Sequence, residues 1–249
     1  MHVSTPTQAE IRLVNDSKQP IEAFYVSQHR DLCGAYSILD ALQGWGSTQG
    51  DIHGADSRPY RGASVEPGGW WDVGSVSHYT DNNGDHECLV EIDAVIFGDG
   101  SYEGKEEVVQ GLKAYRDGIR ASVNDWSEKL KGENWDESSL GSLSAEAARR
   151  EAGDRHQQSK YRFNPIRDET KPLMRWYWEG REQVEENTAI QLSTKLTGEE
   201  ATGRIQKVAH IIALWKKKID NDLSLQRLDA KFPPISESDE DSAHFAVQP

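Results

Sequence analysis

Residues 88–104 read CLVEIDAVIFGDGSYEG. Val90, Ile92, Ala94 and Ile96 are apolar at one parity, and Glu91 and Asp93 occupy the other. At Val95 and Phe97 the second parity turns apolar as well. Two-residue alternation marks a strand with one buried face. A strand that begins with one wet face and ends with two dry ones needs a second layer over its end. The residues that follow supply one. Val108, Leu112, Tyr115, Ile119, Val123, Trp126 and Leu130 recur at steps of three or four, one continuous helical stripe. This spacing predicts a helix from near Lys105 to Gly132, laid over the sheet, with Asp99-Gly100 at the corner. On this reading Glu91 and Asp93 are the solvated face of the strand and Asp99 is a turn residue. The three do not form a carboxylate set for acid–base work.

Upstream, EIRLVNDSKQPIEAFYVS gives two short strands around a polar turn, with Pro20 at a strand start. The LCGAYSILDALQGW segment reads as a strand or a single helical turn. RGASVEPGGWWDVGSVSHYT reads as two strands flanking Pro67-Gly68-Gly69, and Asn82-Asn83-Gly84 as a tight hairpin turn. Short strands with frequent turn signals indicate an antiparallel sandwich.

Downstream, residues 132–166 are polar, with an Ala-rich helical piece, SAEAARREAGDRHQQ, that carries few apolar anchors. Leu173, Tyr177, Gly180, Val184, Thr188, Gln191 or Leu192, and Leu196 share one helical face. Ile205, Val208, Ile212, Trp215 and Ile219 share another, with Leu223 extending it. These two helices are expected to pair as an antiparallel hairpin. Pro233-Pro234 ends the helical part, and Glu237, Asp239, Glu240 and Asp241 predict a disordered acidic tail. The fold class is therefore α+β: an N-terminal antiparallel β-sandwich followed by a long helix and a C-terminal helical hairpin. The expected boundaries are 8–131 for the sandwich with its sealing helix, 132–166 for a partly helical connector, 167–232 for the hairpin and 233–249 for the tail.

The 249 residues carry a net charge of -14, unevenly spread. Residues 1–104 hold 5 basic and 16 acidic side chains. That balance argues against nucleic acid and anionic membranes as partners, since both need a concentrated basic surface. Lys216, Lys217 and Lys218 form the only basic run and read as a solvated helix face. Nowhere is there an apolar run of the roughly 20 residues that span a bilayer. MHVSTPTQAE lacks a basic patch followed by an apolar stretch, which fits either a cytoplasmic protein or a mature one whose leader was removed. The two cysteines, Cys33 and Cys88, are spaced like an intersheet disulfide of an immunoglobulin-type sandwich, with Trp45 between them. The tyrosine that such domains place two residues before the second cysteine is replaced by His86.

Chemistry-bearing patterns are sparse. His78, Asp81, Asp85, His86 and Glu87 cluster around the 82–84 turn and form the candidate metal set, for zinc or a related ion. The same stretch departs from a calcium loop, with His86 and Ile92 where glycine and a bidentate carboxylate belong. A nucleophile elbow and a phosphate loop are absent. Cys33 and His29 are neighbours in sequence alone. Trp70, Trp71 and Tyr79 form the candidate ligand-binding rim, because exposed aromatics stack on sugars or mark interfaces. Trp176-Tyr177-Trp178 on a helix must likewise leave one ring near the surface.

VNDSKQPIEAFYV, VEPGGWWDVG and IDAVIFGDGSYEG, followed by a helix to Leu130, resemble a group of uncharacterised, predicted-secreted proteins from acidobacterial-type soil bacteria. The resemblance covers the first 130 residues. It implies export and a sandwich-like fold, and it transfers no catalytic residue. The functional expectation is a non-catalytic, extracytoplasmic binding or scaffold protein for a protein or glycan partner, with no cofactor. The alternatives are a metal-assisted hydrolase built on residues 78–87 and a cytoplasmic regulator that homodimerises through its C-terminal helices.

Overall fold

In a computed structural model the structure describes residues 7–29, 36–40, 42, 64–81, 84–86, 89–132, 135–162, 172–193 and 201–237. Residues 7–11, 28–29, 36–40, 72–81, 84–86, 89, 161–162 and 172 are described by their backbone course. The first turn is built around Asn15. Its buried amide donates to the carbonyls of Gln19 at 2.8 Å and Val65 at 2.6 Å, and its Oδ1 accepts from the Ser17 backbone N–H and hydroxyl. A side chain that satisfies its own turn in this way is the reason Asn favours such positions.

The strands are β1 (Thr7–Val14), β2 (Ile21–His29), β3 (Tyr36–Asp40), β4 (Trp70–Asp81), β5 (Gly84–His86), β6 (Leu89–Phe97) and β7 (Tyr102–Gly104). They form two antiparallel sheets, ordered β1-β4-β5 and β3-β2-β6-β7. Leu13, Ile21, Phe24, Val26 and Val65 make a small apolar cluster, with Trp71, Val90, Val95 and Phe97 packed on its edge.

The helices are α1 (Glu106–Lys129), α2 (Glu137–Arg162), α3 (Pro172–Leu192), α4 (Ala201–Asp220) and α5 (Leu223–Lys231). They build the larger core, in which Tyr115, Ile119, Val123, Trp126 and Leu130 of α1 meet Leu140, Leu143 and Ala147 of α2, Val184 and Leu192 of α3, and the Ile205–Ile219 stripe of α4. Where α1 meets α3 the backbones nearly touch. A Cβ on Gly118 would overlap the Tyr177 carbonyl oxygen, and a Cβ on Gly180 would overlap that of Tyr115. Only glycine permits so close an approach. Leu223 is exposed and lies off the α4 stripe, because Asp222 caps a separate helix by accepting from the Leu225 N–H at 3.0 Å.

The structure corrects the expected architecture. Among the described residues helix is the dominant element, in five pieces of 24, 26, 21, 20 and 9 residues, and the strands form only small sheets in place of a large N-terminal sandwich. The described residues of Met1–Ala41 and Arg61–Val109 form one compact unit, and those of Leu42–Tyr60 and Gln110–Pro249 the other. Past its first turn, α1 therefore belongs to the helical unit. The physical reason is its burial: residues 111–119 are buried on every side, charged Lys113, Arg116 and Asp117 included. A helix enclosed all round is the centre of a bundle. The C-terminal helices are likewise no isolated hairpin, since α3 makes its closest contacts with α1 and its ion pairs with α2, while α4 joins the shared core. Among the described residues no helix is long and apolar enough to cross a membrane.

Candidate functional site

The expected site residues are dispersed or beyond description. Trp70 is 51 % exposed, with the Arg12 guanidinium 4.5 Å above its ring, while Trp71 turns inward to the small apolar cluster. His78 pairs with Thr7 across the β1–β4 ladder, and β4 pairs with β5 through Tyr79–His86, Thr80–Asp85 and Asp81–Gly84. The side chains of His78, Tyr79, Asp81, Asp85 and His86 lie outside the described residues, as do Cys33, Cys88 and Glu87. Among the described residues no group of three His, Cys, Asp or Glu side chains is placed to hold a metal.

The carboxylates of the opening stretch divide differently from their alternation. Tyr25 pairs with Ala94 and Val26 with Ile92, which leaves Asp93 as the extra residue of a β-bulge. The bulge turns Asp93 inward, to 4 % exposure, and leaves Ile92 53 % exposed. The expected solvated face therefore holds for Glu91 alone. Ser27 donates its hydroxyl to Asp93 Oδ2, and Lys105 Nζ donates to Asp93 Oδ1 and reaches Glu91 at 3.3 Å. Hydrogen bonds from its ammonium to Asp93 and Glu91 raise the pKa of Lys105. Gly104, at φ +104°, lets the chain pass against the Asp93 carbonyl, which accepts from the Lys105 N–H at 2.7 Å. This cluster fixes the bulge to the end of β7. Asp99 is a turn residue, accepting from the Ser101 N–H and hydroxyl.

A different constellation sits in the helical unit. A cavity of about 330 Å³ is lined by Asp125 of α1, by Arg149, Arg150 and Asp154 of α2, by Trp178 and Arg181 of α3, and by Glu237 beyond α5. Arg181, 6 % exposed, donates from Nε to Asp154 at 3.2 Å, and its Nη1 lies 2.6 Å from Glu237 and 3.7 Å from Asp125. Its guanidinium stands 5.4 Å from the Trp178 ring. Arg150 stacks 5.3 Å over Trp126 and faces Glu146, Asp125 and Glu185. Glu185 is fully buried and accepts from the Ser122 hydroxyl at 2.5 Å and the Trp126 indole at 2.7 Å. The Trp178 indole N–H is buried without a hydrogen-bond partner.

Burial dominates the electrostatics. It pushes the Asp154 carboxyl up to about 6 against the attraction of Arg181, and the charges of Glu185 and Glu237 push the same way. A carboxyl beside a guanidinium is ordinarily depressed. Here Arg181 is shared among several carboxylates, so Asp154 gains too little to offset its lost hydration. Burial also raises Glu185, opposed by its bonds to Ser122 and Trp126. Burial works against the charge of Arg181, but Asp154 and Glu237 outweigh it and raise its pKa. The wall thus carries two stacked guanidinium ions beside a carboxyl that changes charge near pH 6, and the indole stacked with Arg181 keeps its N–H buried.

The sequence pointed away from this site. Residues 149–154 belong to the piece with few apolar anchors, where charges read as solvent-facing. Its usable signal was the aromatic run on α3. With Tyr177 and Trp178 both buried, the polar residues one and two turns on, Arg181 and Glu185, are carried inward with them. Compared with protein-family models, with curated proteins and with solved structures, the chain matches none.

Proposed function

We propose that this is a non-catalytic binding protein whose helical unit takes a small carboxylate-bearing molecule in the Arg149–Arg150–Arg181 cavity. The observation that carries the reading is the buried Arg181 guanidinium, stacked on an indole whose own N–H lacks a partner, at the wall of a cavity of ligand size. Guanidinium and indole N–H groups only donate, so the complementary ligand is an acceptor. Carboxylates match the guanidinium fork best among small organic groups. Glu237 shows that a carboxylate reaches Arg181 from the cavity side.

Glutarate, which carries the same carboxylate on the same short chain as a glutamate, is the probe. Titrated into the full chain, it is expected to move the Trp178 indole N–H resonance saturably. Arg149→Gln, at an exposed rim position, is expected to weaken binding roughly threefold, as for an exposed ion pair. A Trp178 resonance that stays fixed throughout, in the wild type and in Glu237→Gln alike, overturns the reading.

A further inference from the structure

Beyond α5 the chain turns back across α1 and α3. Pro233 and Pro234 favour an extended course and donate no backbone hydrogen bond. The Ile235 N–H donates to Asp117 Oδ2 at 2.9 Å, and its side chain packs against the cluster of Met174, Tyr177 and Trp178. Two residues on, Glu237 meets Arg181 at 2.6 Å. An extended chain places residues i and i+2 on one side. The surface therefore offers three elements in order: an aliphatic seat, an acceptor for a main-chain N–H, and a guanidinium.

We propose that this surface is a docking site for an extended acidic peptide with an aliphatic residue two positions before a glutamate, filled in cis by the chain's own Ile235-Ser236-Glu237. The inference deepens the carboxylate-binding reading and rests on it. The cis occupant is displaceable. Glu237 is more than half exposed, so solvent weakens its ion pair. Its hold comes mainly from the tether, which gives an effective concentration on the order of millimolar. The net charge of -14 repels acidic peptides in general. Capture of one thus depends on the local arginines and on the aliphatic seat.

The test uses a fluorescent peptide of residues 233–241, PPISESDED, against the full chain. The double variant Ile235→Ser/Glu237→Gln, which empties the site, is expected to bind it about tenfold more tightly than the wild type. The same peptide carrying both replacements is expected not to bind. Should the double variant lose stability, Glu237→Gln alone is expected to gain roughly threefold, one exposed ion pair having been removed. Equal affinity of wild type and variants, or equal binding of the replaced peptide, overturns the docking site. If glutarate still moves Trp178, the carboxylate reading survives that outcome. If it does not, both fall.

Discussion

The two units bury carboxylates for opposite ends. In the sheet unit Asp93 is inward-facing and is held by Ser27 and by Lys105, whose ammonium remains largely in water. Each contact fixes the bulge to the corner at Gly104. In the helical unit buried charges run in chains: Lys113 and Arg120 with Asp117 and Asp229, Arg116 with Asp222 and Ser224, and Asp154 with Arg181 and Glu237. The last of these opens on a cavity and ends on an exposed tail residue. A local, closed pairing reads as structure. A shared, open one, in which a single guanidinium serves several carboxylates beside a cavity, reads as a candidate site.

The comparison breaks most visibly at the crossing of α1 and α3. Gly180→Leu drives a side chain into the Tyr115 carbonyl, which cannot move without displacing α1. The loss is expected to exceed about 4 kcal/mol, the exceptional range for one substitution. A denaturant midpoint near that of the wild type would show that the helices separate readily.

The next effect is a pH dependence carried by the Asp154 carboxyl of the helical unit. Asp154 titrates at about 6 in the folded chain against 3.8 in the unfolded one. Between these values the folded state holds a proton that the unfolded state has released. Its contribution to stability is therefore full below about pH 4 and is lost as pH rises through 6. The groups facing it are Arg181, Glu185 and Glu237, with Asp125 beyond Arg181. Between pH 4.5 and 7 the thermal stability of the wild type relative to Asp154→Asn is expected to fall by about 2 kcal/mol, somewhat less than the full two-unit shift. A flat difference would place Asp154 in water.

The smallest effect belongs to the sheet. Asp93→Ala removes the carboxylate that accepts from Ser27 and Lys105, and Lys105 keeps its contact with Glu91. The expected cost is about 1–2 kcal/mol in urea unfolding, the range for one buried hydrogen-bonding group. A cost equal to that of Gly180→Leu would erase the distinction between the units.

Periodicity was legible wherever one side of an element is dry. The α1 stripe from Leu112 to Leu130 and the α4 stripe from Ile205 to Ile219 are buried in full. The change of period at Gly104 marks the passage from strand to helix. Periodicity does not say which dry faces meet, so the stripe after Gly104 does not by itself reveal that most of this helix belongs to the helical unit. It also hides a bulge. The alternation through Glu91, Ile92 and Asp93 looks unbroken because the inserted residue is polar, and the inversion is set by the pairing with Tyr25 and Val26. The site was hidden for a related reason. Charges on α2 are buried through partners on α1 and α3, which no local window contains.

The reciprocal glycines at 118 and 180 have one more consequence. Arg181 follows Gly180 directly, and the Cβ position of Gly118 lies 3.0 Å from the Arg181 backbone nitrogen. The helix crossing therefore sets the base from which this guanidinium extends, and folding has already removed most of its rotational freedom. A mobile arginine would forfeit up to about 2 kcal/mol of side-chain entropy on capturing an anion. Preorganisation of this kind lowers the entropic cost of the anion binding proposed at Arg181.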